Sequence, residues 1–174
     1  MQLSQTLVLL VVAALSSCAK EPAAALASFG ESPLDLTLPA YPSKQPFELA
    51  SERGHVVLLD VWATWCDPCR ESLPLYQSLA GKYADKGLRI YAVNVDGEAA
   101  VPAEIPKFIT ETKLSLPILL DTDAKLSESL LKVKMMPTAL LIDRKGRVRH
   151  VHEGFEKKDF DGVVAQLETL LGEN

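Results

Sequence analysis

Cysteine is scarce in this chain: there are three in 174 residues, and only Cys66 and Cys69 lie close enough in sequence to form a small ring. A scaffold stapled by several disulfides is therefore excluded. Structural zinc is disfavoured too, because it takes four N or S ligands and normally a second cysteine pair, and Cys18, His55, His150 and His152 form no spaced cluster with the first. No run of one charge sign appears, and 18 basic against 23 acidic residues leave a net charge of −5. Nucleic acid, which requires a basic face, is not an expected partner. There is no nicotinamide or flavin fingerprint, so no cofactor is expected. No internal repeat or low-complexity block is present. What remains is 48% hydrophobic and 24% charged, a composition suited to one compact domain with a short extension.

The extension is N-terminal. Residues 7–15 are unbroken apolar, too short for the roughly 20 residues of a membrane-spanning helix but suited to the core of a signal peptide. Met1 to Gln5 carry no Lys or Arg, so only the amino terminus can supply the usual positive charge. The stretch ends in Leu15-Ser16-Ser17-Cys18, which resembles the bacterial lipobox. On that resemblance residues 1–17 are a lipoprotein signal peptide and Cys18 is the lipidated N-terminus of the mature protein, which accounts for the odd cysteine. The competing reading is an ordinary signal peptide cleaved near the same place. Residues 18–33, rich in Ala and Ser with no sustained apolar period, read as a flexible tether. Residues 34–174 read as the folded domain.

Within that domain residues 34–38 alternate like a strand ended by Pro39 and Pro42, and residues 55–62 have the length and β-branched content of a buried strand. A helix follows in which Cys69, Leu73, Tyr76, Ala80 and Tyr83 recur at spacings of four and three, with Pro74 expected to kink it. Strands are expected at 88–95, 116–120 and 138–142, and helices at 103–112 and 123–132, with Pro106 in the first turn of the former. The turn 143–146 leads to a returning strand at 147–152. A closing helix at 157–171 repeats its apolar residues every 3.6 positions. Strands alternating with helices imply an α/β fold, a central mixed sheet with helices on both faces.

The chemistry is concentrated in Trp65-Cys66-Asp67-Pro68-Cys69-Arg70, between a buried strand and a helix. A helix N-terminus lowers a thiol's pKa through its unpaired N–H groups and dipole, so Cys66 reads as the exposed attacking sulfur. Cys69, one turn further in, reads as the thiol that resolves a mixed disulfide. A negatively charged Asp67 beside Cys66 opposes its thiolate, and the pair should lean towards the reducing end of the scale.

These motifs resemble the thioredoxin fold, and more closely the TlpA/ResA-type membrane-anchored thiol-disulfide oxidoreductases. The residues that carry the resemblance are Trp62, Trp65, Cys66, Cys69, Pro74 and Met136-Pro137-Thr138, with residues 101–120 corresponding to the family's central helix-strand insertion. The resemblance implies that Pro137 is a cis-proline lying against the disulfide and that the Met136 backbone pairs with an extended substrate chain. Trp65, Asp67 and Pro68 would join that substrate surface. It also implies that Asp60, six residues before Cys66, is a buried aspartate exchanging a proton with Cys69. In place of the glutamate usual three residues after the second cysteine stands Ser72, and Glu71 is rotated from that direction by about 100 degrees.

The family further implies an enzyme on the extracytoplasmic side of a membrane, held there by its lipid. Its substrates would be oxidised proteins, for example in cytochrome c maturation, and its electrons would come from a membrane thiol carrier of the DsbD/CcdA type. The alternatives are a disulfide-donating oxidant or isomerase with the opposite poise, and a copper chaperone of the Sco type. The latter uses CxxxC with a distant histidine, whereas the spacing here is CxxC. A peroxidase of the peroxiredoxin type would have Thr where Ala63 stands.

Overall fold

The computed structural model describes Leu26 and residues 29–173. Signal peptide, Cys18 and most of the tether lie outside them. Strands β1 (Thr37–Tyr41), β2 (Pro46–Glu48), β3 (Val56–Trp62), β4 (Leu88–Asn94), β5 (Ile118–Leu120), β6 (Thr138–Ile142) and β7 (Val148–Glu153) form one sheet in the order β2-β1-β5-β4-β3-β6-β7. β3, β4 and β5 run parallel; β6 pairs antiparallel with β3 and β7 with β6 on one side, and β1 pairs antiparallel with β5 and β2 with β1 on the other. The mixed sheet expected from the alternation of elements is present.

The parallel strands end together at one edge of the sheet, and β3 leads from there into α1 (Asp67–Tyr83). Every residue of β3 is buried, as a central strand covered on both faces requires. Alternation divides its side chains. Val56, Leu58 and Trp62 join one core with α1, α2 (Val101–Thr112) and α4 (Phe160–Gly172), whose Leu73, Phe108 and Leu167 are essentially inaccessible. Val57, Leu59 and Val61 face the other core, closed by Leu34, Leu36, Leu49 and Leu131, the last just past the short α3 (Lys125–Ser129). Each large apolar side chain fully buried this way contributes about 1.5–3 kcal/mol.

Several boundaries differ from the sequence reading. The strand expected at 34–38 instead begins at Thr37 and passes through Pro39, which is tolerated because it sits opposite Pro46 on the edge ribbon β1–β2. The alternation at 34–38 is still used: Leu34, Leu36 and Leu38 are all buried. The helix at 103–112 starts two residues earlier, so Pro102 occupies its first turn and Pro106 falls inside the helix. The helix expected at 123–132 is five residues long; Asp121 receives the Leu126 and Ser127 N–H groups at its start. Pro74 lies inside an α1 that continues to Tyr83. Leu26 and Phe29, in the stretch read as tether, pack against the second core.

Candidate active site

Cys66 is the N-cap of α1, and Pro68 falls in its first turn, where no amide hydrogen is needed. The Cys66 and Cys69 sulfurs are joined at 1.98 Å, with their Cα atoms 5.3 Å apart, so the structure is the oxidised form. Cys66, read from sequence as exposed, is only 5% accessible in this form because its sulfur is bonded inward to Cys69, itself at 0%. Around them Asp67 and Pro68 are exposed and Trp65 is 69% exposed.

The approach to the disulfide is held by a network that the sequence reading missed. Asp96, just past the end of β4, is buried, and its carboxylate accepts from the Thr64 N–H (3.0 Å), the Thr64 hydroxyl (3.1 Å) and the Asn94 amide (2.8 Å). The Arg70 guanidinium reaches the Thr64 carbonyl, ion-pairs with Glu111 at 2.9 Å and stacks over Phe108 at 4.7 Å. Phe108 in turn lies 4.4 Å from Trp62. The insertion helix α2 thus braces both the strand before the cysteines and the turn after them. An acidic and an amide side chain closing an apolar strand, as in Asn94-Val95-Asp96, is the signal that could have drawn attention to this network.

Asp60 projects from β3 on the same face as Trp62, beneath α1. Its partners across the sheet are Ala92 and Ala139, so methyl groups flank it on both sides. It is 0% exposed and neither carboxyl oxygen has a hydrogen-bond partner within the described residues. Burial therefore holds its carboxyl well above the usual carboxylate range. The phenol of Tyr76, on α1, is likewise pushed up, chiefly by its own burial and then by the charge of Asp60. A buried carboxyl whose pKa is raised in this way can serve as acid or base towards a neighbouring thiol.

The Met136–Pro137 peptide is cis. Met136 packs against the core that holds both cysteines, and Met135, one residue before, is 54% exposed. Trp65 and Met135 are the large hydrophobic side chains left exposed among the described residues. Ser72 is buried and its hydroxyl donates to the Cys69 carbonyl at 3.5 Å, whereas Glu71 faces solvent, so no carboxylate from α1 lies where the family glutamate would. His152 Nε2 lies 2.7 Å from Gln166 Oε1. Among the described residues no group of three or more His, Cys, Asp or Glu side chains is arranged to hold a metal, and no helix is long and apolar enough to cross a membrane.

The profile of the Redoxin family matches residues 29–171. A thiol-disulfide oxidoreductase ResA of Geobacillus kaustophilus is 35% identical over 122 residues, 70% of this chain and 67% of that protein. A ResA of Oceanobacillus iheyensis is 36% identical over 62% of this chain, but the match spans only 54% of that protein's length. Among solved structures, a Chlorobium tepidum protein assigned as the thiol:disulfide interchange protein DsbE superimposes with a TM-score of 0.73 at 34% identity, covering 81% of this chain and 96% of that one. The exposed lipoprotein thioredoxin Etrx1 of Streptococcus pneumoniae gives 0.62 at 29% identity, covering 78% and 99%.

Proposed function

The chain belongs to the Redoxin family, in its thioredoxin-fold, ResA-like branch, and from that premise we propose that it is a thiol-disulfide oxidoreductase reducing disulfides in proteins. The observation that carries the reading is the Cys66–Cys69 pair at the start of α1, with the partnerless carboxyl of Asp60 on the sheet face that α1 covers.

In the reduced protein the Cys66 thiolate attacks one sulfur of a substrate disulfide, which releases the other substrate sulfur as a thiolate. The Cys69 thiol passes its proton towards Asp60 and attacks the Cys66 sulfur of the mixed disulfide. The second substrate thiolate leaves and takes a proton, and the Cys66–Cys69 bond closes. Two electrons have then passed from protein to substrate, and an external dithiol must restore the pair. Trp65, Asp67, Pro68 and the edge at Met136-Pro137 form the surface on which the substrate lies. Mixing the reduced domain with an oxidised bis-cysteine peptide is expected to form one Cys66–Cys69 disulfide per peptide disulfide lost. Loss of the peptide disulfide without closure of the pair would refute the reading.

The same reading places the protein outside the cytoplasm on a lipid at Cys18, with oxidised proteins such as those of cytochrome c maturation as substrates and a membrane dithiol carrier of the DsbD/CcdA type as donor. The sequence Leu15-Ser16-Ser17-Cys18 and the likeness to an exposed lipoprotein thioredoxin support this placement. Labelled fatty acid is expected to enter the wild-type chain and not Cys18→Ala. Mature wild-type protein recovered without label would contradict it.

A further inference from the structure

A groove of about 600 Å³ opens beside Met135 and runs between the end of β7 and the start of α4. We infer that it takes an extended segment of the substrate polypeptide carrying a large apolar side chain about four residues from the reacting cysteine, with a basic residue next to it. This rests on the reading of Cys66 and Cys69 as a dithiol acting on proteins, and adds to it what the surface selects.

The argument for an apolar side chain comes from the lining. Tyr76, Phe155 and Phe160 line the groove as an aromatic cluster, with ring centroids 6.5 Å and 6.1 Å from that of Tyr76. Met135 adds a flexible thioether that adapts to different side chains. Gly162, two residues past Phe160 on α4, also lines the groove and leaves open space where a Cβ would stand.

The argument for a polypeptide is continuity with the disulfide. Met135 precedes Met136 and cis-Pro137, and the Gly154 N–H donates to the Pro137 carbonyl at 2.8 Å, so the groove begins where the substrate edge ends. Tyr76 follows Cys66, the sulfur that bonds the substrate, by ten positions along α1. At 1.5 Å per residue the groove floor is about 15 Å from that cysteine along the helix. An extended chain covers that distance in about four residues.

Charge decides the last feature. Three carboxylates, Glu153, Glu156 and Asp159, line the groove, against one ammonium, Lys158, which Glu156 already holds at 2.6 Å. One Glu153 oxygen is buried with no hydrogen-bond partner. Glu153 as a whole is half-buried at the groove wall, where its carboxylate offers a counter-charge to a Lys or Arg of the substrate.

The test uses the reduced protein and a series of peptide disulfides in which one Phe is moved along a Gly/Ser chain on either side of the cysteine, with and without a neighbouring Lys. Each kcat/KM is divided by that variant's own rate on 5,5′-dithiobis(2-nitrobenzoate), which needs the sulfurs but not the groove. The wild type is expected to favour the peptide with Phe about four residues away by about tenfold over the peptide without Phe, as burial of one aromatic side chain allows. That preference should fall to near one in Phe155→Ala and in Gly162→Phe, which fills the groove from α4. The added Lys should give a further gain that Glu153→Gln removes. A preference that is flat along the series, or that survives both groove variants, overturns the inference while leaving the oxidoreductase reading standing. Absence of exchange with any disulfide overturns both.

Discussion

Cys66→Ser is expected to remove disulfide reduction down to the uncatalysed background, while Cys69→Ser keeps the first step and accumulates mixed disulfides through Cys66. The asymmetry follows from their places on α1. Cys66 is the N-cap, where the helix dipole and free N–H groups favour a thiolate, and Cys69 lies one turn inside, wholly inaccessible. A serine hydroxyl has no comparable anion near neutral pH, so the loss in Cys66→Ser is complete rather than graded. In Cys69→Ser nothing can attack the mixed disulfide from within, and partners remain attached under non-reducing electrophoresis. Alkylation of the reduced wild type should reach Cys66 first. Preferential labelling of Cys69, or stable adducts on Cys66→Ser through Cys69, would reverse the roles.

Asp60→Asn is expected to make the domain more stable and slower. Because burial raises the Asp60 carboxyl above its unfolded value, the folded state binds more protons than the unfolded one at pH values between the two. Stability of the wild type therefore falls as pH rises from about 4, the unfolded value, towards the folded one. Asparagine has no charge to bury. The variant should gain with pH over that window, since the wild type must increasingly carry an uncompensated buried carboxylate that the asparagine lacks. Near pH 3, where both states of the wild type are protonated, the difference should shrink to that between two neutral isosteres. Urea midpoints at pH 3, 6 and 8 measure this. The second exchange step, in which Cys69 must lose its proton, should slow by about 10²-fold at neutral pH, the low end of what a positioned base supplies. A stability gain independent of pH, together with an unchanged rate profile, would make Asp60 structural only.

Much of this site was legible because its parts are adjacent in sequence. Cys66, Pro68 and Cys69 belong to one turn of helix, and the apolar run before them has the length and β-branched content of a buried strand. Asp60 stood out as a charge within that run. Pro137 came from resemblance, since no local pattern distinguishes a proline at a cis bond from one at an ordinary strand start. What could not be read depends on contacts between distant segments. Asp96 grips Thr64 across 32 positions of chain, and Arg70 reaches Glu111 across 41. The groove is assembled from α1, the segment before β6, the end of β7 and α4, none of which shows it alone. The three-residue strand β2 was missed because its pattern is too short to show a period, and the helix start at Val101 because Pro102 and Pro106 both suit a first turn.

The direction of electron flow is the central claim, and the equilibrium of the purified domain with reduced and oxidised glutathione tests it most directly. The anionic Asp67 beside Cys66 and the absence of a histidine between the cysteines leave the thiolate without added support, which favours the disulfide and a reducing couple. The account predicts a potential nearer thioredoxin's, about −270 mV, than a strong oxidant's, about −120 mV, a separation worth about 7 kcal/mol for two electrons. A value near −120 mV would make the protein a donor of disulfides and contradict the account.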